Sequence, residues 1–272
     1  MPGIARVLIV AGSDSGGGAG VQADIRTVTM LGGHPMTAIT AITAQNTLGV
    51  EAVLALPDRL VTQQMAMVVG DLGVDAVKIG MLGGASIADA VADELARGPY
   101  DAPIVLDPVM VATSGAVLAD DRTIAAFERL ARVSRLVTPN LPELARLCGR
   151  EPVAPADVAA VAADYAARIG GAVLVKGGHG EGPVVIDRLV DGAGEVERWE
   201  APRIATRHTH GTGCTLASAI ATGLAQGLEL SPAIARAIRF VRAALEAAPG
   251  IGQGHGPMGH ALGVRPFEVI RG

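Results

Sequence analysis

Residues 6–11 (RVLIVA) form an unbroken apolar run that opens straight into Gly12-Ser13-Asp14-Ser15-Gly16-Gly17-Gly18-Ala19-Gly20, and a helical pattern follows over 21–31. A strand with no polar alternation is covered on both faces, as in parallel sheets. A parallel neighbour needs a crossover, usually a helix. The unit recurs along the chain. Residues 36–43 (MTAITAIT), 52–56, 76–79, 104–106, 136–138 and 173–175 read as strands. Helical patterns fall at 58–72, with Asp58 as N-cap, and at 87–97, 121–132, 142–147 and 156–169. Residues 184–190 and 196–199, split by Asp191-Gly192-Ala193-Gly194, read as a hairpin. Helices at 213–226 and 232–248 precede a Gly-rich tail. The alternation predicts an α/β fold, a mostly parallel sheet with helices on both faces. With no linker, repeat or low-complexity block, residues 1–272 are expected to form a single domain.

Half of the residues are apolar and only 2% aromatic, so Ala, Val, Ile and Leu must build the core. A net charge of −5 and so few aromatic rings argue against a nucleic-acid binder. The long charge-free stretches, 27–50 and 208–228, are broken by Gly, Thr, Gln, Asn and His, so no membrane partner is expected. Arg6 leads directly into the first strand without a leader pattern, and a cytoplasmic protein is expected. Cys148 and Cys214 lack CxxC spacing, which points away from a disulfide framework or structural zinc.

Open α/β sheets bind ligands beyond the carboxyl ends of their strands, and there the polar and Gly residues gather. His208-Thr209-His210-Gly211-Thr212-Gly213-Cys214-Thr215 leads into a helix. Gly211, Thr212 and Gly213 let successive N–H groups converge where the helix dipole adds about half a positive charge. Such an anion hole suits a phosphate gaining charge during transfer. Cys214, in the first turn, has a thiol that the helix N-terminus can acidify, and it could take a proton from a hydroxyl; a small cysteine packed under a helix start is the other reading. Of the two lysines, Lys176 ends a strand, where an ammonium can reach phosphates, while Lys78 lies within a strand. Asp107 and Glu143 are strand-end acids that could hold a Mg²⁺ carrying nucleotide phosphates; Glu143 could equally offset a helix N-terminus.

The first glycine loop lacks the Lys-Ser/Thr of a P-loop and the GxGxxG spacing, so it reads as close backbone approach to a substrate. Asp24, on the following helix, could face that pocket. Gln45 offers one acceptor and two donors in a plane, matching the ring nitrogen and amine of an aminopyrimidine edge. The six histidines show no metal-pair spacing and read as loop residues.

AGSDSGGGAGVQADI, TAITAQNT, KIGML, LDPVM, TPNLPE, KGGH, HTHGTGC and GHGPMGH, in that order from Ala11 to His260, resemble the hydroxymethylpyrimidine/phosphomethylpyrimidine kinases of thiamine biosynthesis. The resemblance implies a three-layer α/β/α ribokinase-like fold. It implies two ATP-dependent phosphorylations, first of 4-amino-5-hydroxymethyl-2-methylpyrimidine and then of its monophosphate. It assigns Gln45, Gly12, Asp24, Met81 and Val109 to the pyrimidine, and Gly211–Gly213 to the anion hole. Cys214 becomes the base, where most ribokinase-like relatives have Asp. Asn140, Glu143, Lys176 and Thr209 go to the nucleotide, Asp107 and Glu143 to Mg²⁺. It also implies a homodimer through the early strands. One departure is Thr113, where many members carry Lys. The nearest alternative is a pyridoxal/pyridoxine kinase, whose substrate also carries a hydroxymethyl but no exocyclic amine; a non-catalytic ligand sensor is less consistent with an intact base, lysine and acids.

Overall fold

The computed structural model describes residues 3–111, 118–150 and 153–264; Thr113 lies outside them. In chain order the elements are β1 (Arg6–Ser13), α1 (Gly20–Met30), β2 (His34–Gln45), β3 (Val50–Ala55), α2 (Asp58–Leu72), β4 (Ala76–Ile79), α3 (Ala85–Arg97), β5 (Ile104–Leu106), α4 (Asp121–Val133), β6 (Leu136–Val137), α5 (Leu141–Leu147), α6 (Val158–Ile169), β7 (Ala172–Val175), β8 (Val184–Asp191), β9 (Gly194–Pro202), α7 (Thr212–Ala225) and α8 (Leu230–Glu246). A short 3₁₀ turn covers Gly177–His179. The expected elements form with ends shifted by a few residues. Asp58 is the first helical residue rather than the cap, which is Pro57. The second strand runs on through Gln45, which therefore closes a strand instead of opening a loop.

The strands make one nine-stranded sheet, ordered β3-β2-β1-β4-β5-β6-β7-β8-β9. From β2 through β1 to β7 the pairs are parallel. β3 on one margin, and β8 and β9 on the other, run antiparallel. Alternation along the buried strands divides the core in two. Leu8, Val10, Val77 and Ile79 pack with α2, α3, α4 and α6. Val7, Ile9, Ala11 and Val105 pack with α1, α7 and α8 on the opposite face. This is a three-layer α/β/α arrangement.

The chain leaves β1 toward β2 and later returns to place β4 on the other side of β1. Strand order therefore reverses at β1, and the loops diverge there to leave a crevice. Helix α7 lies against this centre. Every residue from Thr215 to Leu224 is buried, as befits a helix apolar nearly all round. Its N-terminus points at the crevice, beside the loops that follow β1, β4, β5 and β7.

Candidate active site

Gly211 caps α7 with φ +86°, and a Cβ there would stand 2.0 Å from the Gly18 carbonyl oxygen. Only glycine tolerates both the left-handed backbone and that approach. The first glycine loop and the start of α7 are thus packed backbone to backbone. No side chain caps α7; the Thr212 N–H turns back to the Thr209 carbonyl, and the helix dipole stands behind the N–H groups of Gly213 and Cys214.

Beside this turn stands a charged cluster. A Cβ on Gly213 would lie 3.2 Å from both Asp107 Oδ2 and Lys176 Nζ. Lys176 Nζ donates to Asp107 Oδ1 at 2.6 Å and lies 3.7 Å from Glu143 Oε2. Burial by itself would lower the Lys176 pKa, but Asp107 and Glu143 outweigh it and hold the ammonium charged. Glu143 also completes a capping box on α5: it accepts the Asn140 N–H at 2.7 Å and donates its own N–H to Asn140 Oδ1 at 2.9 Å. The helix-start reading of Glu143 is therefore present in the structure, and the same carboxyl also faces the lysine. Burial pushes its pKa up to about 7, with Lys176 pulling the other way.

Cys214 is partly exposed on the wall of the same cavity. Its thiol is not acidified as a helix N-terminus alone would suggest. Burial pushes it up to about 11, against the pull of Lys78 and of the Gly20 N–H. Asp24 is the clear correction. It is fully buried and does not line the cavity. Its Oδ2 accepts from Lys78 Nζ at 2.8 Å and its Oδ1 from Ser218 Oγ at 2.7 Å. The pair lies under the crevice, which also explains a lysine in the middle of β4: each charge is the counter-ion that makes burial of the other tolerable.

The remaining expected residues meet in one cavity of about 720 Å³: Gly12, Gln45, Met81, Val109, Asn140 and Thr209 line it together with the groups above. Met81 lies across Gly12, where a Cβ would come within 2.7 Å of its methyl carbon. Sequence reasoning missed two parts of this cavity. One is His210, read as a loop residue, which is buried and touches both Asp14 and Gln45. The other is an apolar end built from Val185, Trp199, Ala201, Ile238, Val241 and Leu245. There Arg203 gathers the loop after β7 by donating to the carbonyls of Gly178, Gly180 and Gly182.

Among the described residues no group of three or more His, Cys, Asp or Glu could hold a metal by itself. Asp107 and Glu143 offer two hard oxygen donors, which fits an ion such as Mg²⁺ whose other ligands are water and phosphate. No helix of the described residues is long and apolar enough to cross a membrane.

A helix start without a side-chain cap, a lysine between two acids and a cavity at the switch point of this α/β/α sheet define a ribokinase-like phosphotransferase. The solved structure of a pyridoxal kinase from Bacillus subtilis in complex with ADP has the same fold, with a TM-score of 0.85 and 32% identity over 96% of this chain and 98% of that one. A phosphomethylpyrimidine kinase from Clostridium difficile superposes with a TM-score of 0.76 and 35% identity, covering 89% of this chain and 99% of its own. Residues 14–259 match the family model described as phosphomethylpyrimidine kinase, and the chain belongs to that family. It is 47% identical to the hydroxymethylpyrimidine/phosphomethylpyrimidine kinase of Streptomyces coelicolor, over 94% of this chain and 95% of that protein. It is 48% identical to the thiamine biosynthesis bifunctional protein ThiED of Geobacter sulfurreducens, over 94% of this chain but only 52% of that longer protein.

Proposed function

We propose that this kinase phosphorylates the hydroxymethyl group of 4-amino-5-hydroxymethyl-2-methylpyrimidine and then the resulting monophosphate, using ATP for both steps in thiamine diphosphate biosynthesis. The observation that carries the reading is the Gln45 amide, a planar donor–acceptor edge that lines the same cavity as the α7 N-terminus. An aminopyrimidine presents the matching pattern, and pyridoxal lacks the amine.

In this reading the heterocycle lies among Gln45, Gly12, Met81 and Val109, with its hydroxymethyl toward Cys214. The ATP phosphates lie along Lys176, Asn140, Glu143 and Thr209, and the base takes the apolar end at Trp199. Phosphoryl transfer is mostly positioning and charge stabilisation. Lys176 and the N–H groups of Gly213 and Cys214 face the charge that builds on the migrating phosphoryl. The alcohol oxygen bonds to the γ-phosphorus, the bond to ADP breaks, and the alcohol proton passes to Cys214 in its ionised form, a minor fraction near neutrality because burial raises the thiol. Asp107 and Glu143 would hold Mg²⁺, which when bound offsets phosphate charge.

The reaction belongs where ATP is plentiful, the cytoplasm, and needs no nucleic acid or membrane partner. A homodimer through β2 and β3 suits the outward apolar side chains of Ile42, Val53 and Leu54. Incubation of the hydroxymethylpyrimidine with Mg–ATP, read by mass spectrometry, tests the function. Mono- and diphosphate are expected; phosphorylation of pyridoxal alone would move the assignment to the pyridoxal kinases.

A further inference from the structure

Asp14 is surrounded by donors. Its Oδ1 accepts the Gly16 N–H at 2.8 Å, and its Oδ2 accepts those of Gly18 at 3.0 Å and Ala19 at 2.9 Å. A carboxyl group held this way is an acceptor only, since a hydrogen on it would face another N–H. His210 Nε2 lies 2.9 Å from the same Oδ2. The ring nitrogen must therefore carry the hydrogen of that bond. The ring has little room to move, because Gly18 passes so close that a Cβ there would stand 2.5 Å from His210 Cδ2.

The Gln45 side chain ends 3.2 Å from that same Nε2 with its amide nitrogen foremost. Two N–H groups cannot bond each other. The amide's oxygen and nitrogen occupy almost the same envelope, so the network closes when the amide turns over. The oxygen then shares the His210 hydrogen, and the NH₂ faces the cavity. The Gln45 backbone cannot shift to evade this, since its N–H donates to Ser15 Oγ at 2.8 Å and its carbonyl accepts from the same hydroxyl at 2.8 Å.

We propose that Asp14 and His210 are a positioning pair that fixes which end of the Gln45 amide meets the substrate. The pair thereby selects a heterocycle with a ring-nitrogen acceptor beside an amine, and rejects one with a ring N–H beside a carbonyl. The fixed NH₂ donates to the ring nitrogen, while the second lone pair of the amide oxygen accepts from the substrate amine. The 4-oxo analogue of the pyrimidine has the reverse pattern and would leave unpaired polar groups in the pocket. This proposal rests on the aminopyrimidine reading of the cavity.

The test compares kcat/KM for the 4-amino substrate and its 4-oxo analogue, in the wild type and in His210→Phe. The wild type is expected to prefer the amine. In the variant that preference falls by roughly tenfold or more, mainly through KM for the pyrimidine, because an amide free to turn serves either pattern. An equal loss on both compounds, with the preference unchanged, would mean that His210 is only structural and would overturn the proposal. Since His210 borders the anion hole, nitrogen-15 NMR of the wild-type imidazoles provides a second measurement that needs no variant. Hydrogen on Nε2 of His210 is expected, and a bare Nε2 overturns the pair. Failure of the wild type to phosphorylate either compound would instead remove the substrate reading, and with it the pair's selective role.

Discussion

The Lys176 ammonium lies 2.6 Å from Asp107 Oδ1, directly against the first turn of α7. Asp107 is 1% exposed, so this lysine is the counter-ion of a buried acid, and in the proposed reading it also meets the phosphates. Lys176→Met should show both losses. An orphaned buried charge costs about 3–5 kcal/mol, and loss of a charge-stabilising group costs on the order of 10²–10³ in turnover. Thermal melts and initial rates would read the two effects, and a variant with wild-type melting would show that Asp107 does not depend on the pair.

Two glycines at the start of α7 should behave differently. Gly211→Ala must keep φ +86° and bring a methyl within 2.0 Å of the Gly18 carbonyl. It is expected to destabilise the fold and abolish activity, since the two loops must separate. Gly213→Ala meets only the Asp107 carboxylate and Lys176 ammonium at 3.2 Å. It should fold, melt near the wild type and lose turnover, because in the proposed reading its methyl sits where the phosphoryl passes. Circular dichroism with an ATP-consumption assay separates the outcomes.

The contrast between these residues also marks how far the primary structure could be read. Runs such as 104–106 and the glycines around Gly211 announce a strand and a helix start because their signals are local. Asp24 and His210 gave no such signal. Asp24 finds Lys78 across 54 positions and Ser218 across 194, and His210 finds Asp14 across 196. A polar residue on a helix looks the same whether it faces a pocket or a buried partner, and only the packing of α1 against α7 and the sheet decides. The Cys214 thiol fell between. The helix N-terminus was visible in sequence, but the burial that outweighs it was not.

Cys214 should matter unequally to the two phosphorylations. In the first, an alcohol must lose a proton, and removing a positioned base commonly costs ~10²–10⁴-fold. In the second the nucleophile is a phosphate oxygen, already ionised near neutrality. Cys214→Ala is therefore expected to lose most of the first step and far less of the second, when each is started from its own substrate. Equal losses would remove the cysteine from proton transfer. Because the thiol titrates at about 11, the first step in the wild type should also accelerate as pH rises above neutrality, and the alanine variant should lose that slope.

His260 predicts where acid undoes the site. It is 4% exposed, and its Nε2 lies 2.9 Å from Thr215 Oγ1 in the first turn of α7. Burial, and then Arg26, lower its pKa from 6.5 to about 4. As pH falls, the unfolded chain takes up this proton near 6.5, whereas the folded chain refuses it until about 4. In that window the unfolded state binds more protons, so stability is complete above it and drains away as pH drops through it. The full effect is on the order of a few kcal/mol, or several degrees in Tm. His260→Gln keeps a hydrogen-bonding group for Thr215 but cannot titrate. Its melting temperature should start slightly below the wild type at neutral pH and fall less steeply across the window, so that the two curves converge or cross. Because Thr215 anchors the turn that carries Gly213 and Cys214, wild-type activity should fall over the same range. Parallel melting curves for the two proteins would show that the acid sensitivity arises elsewhere.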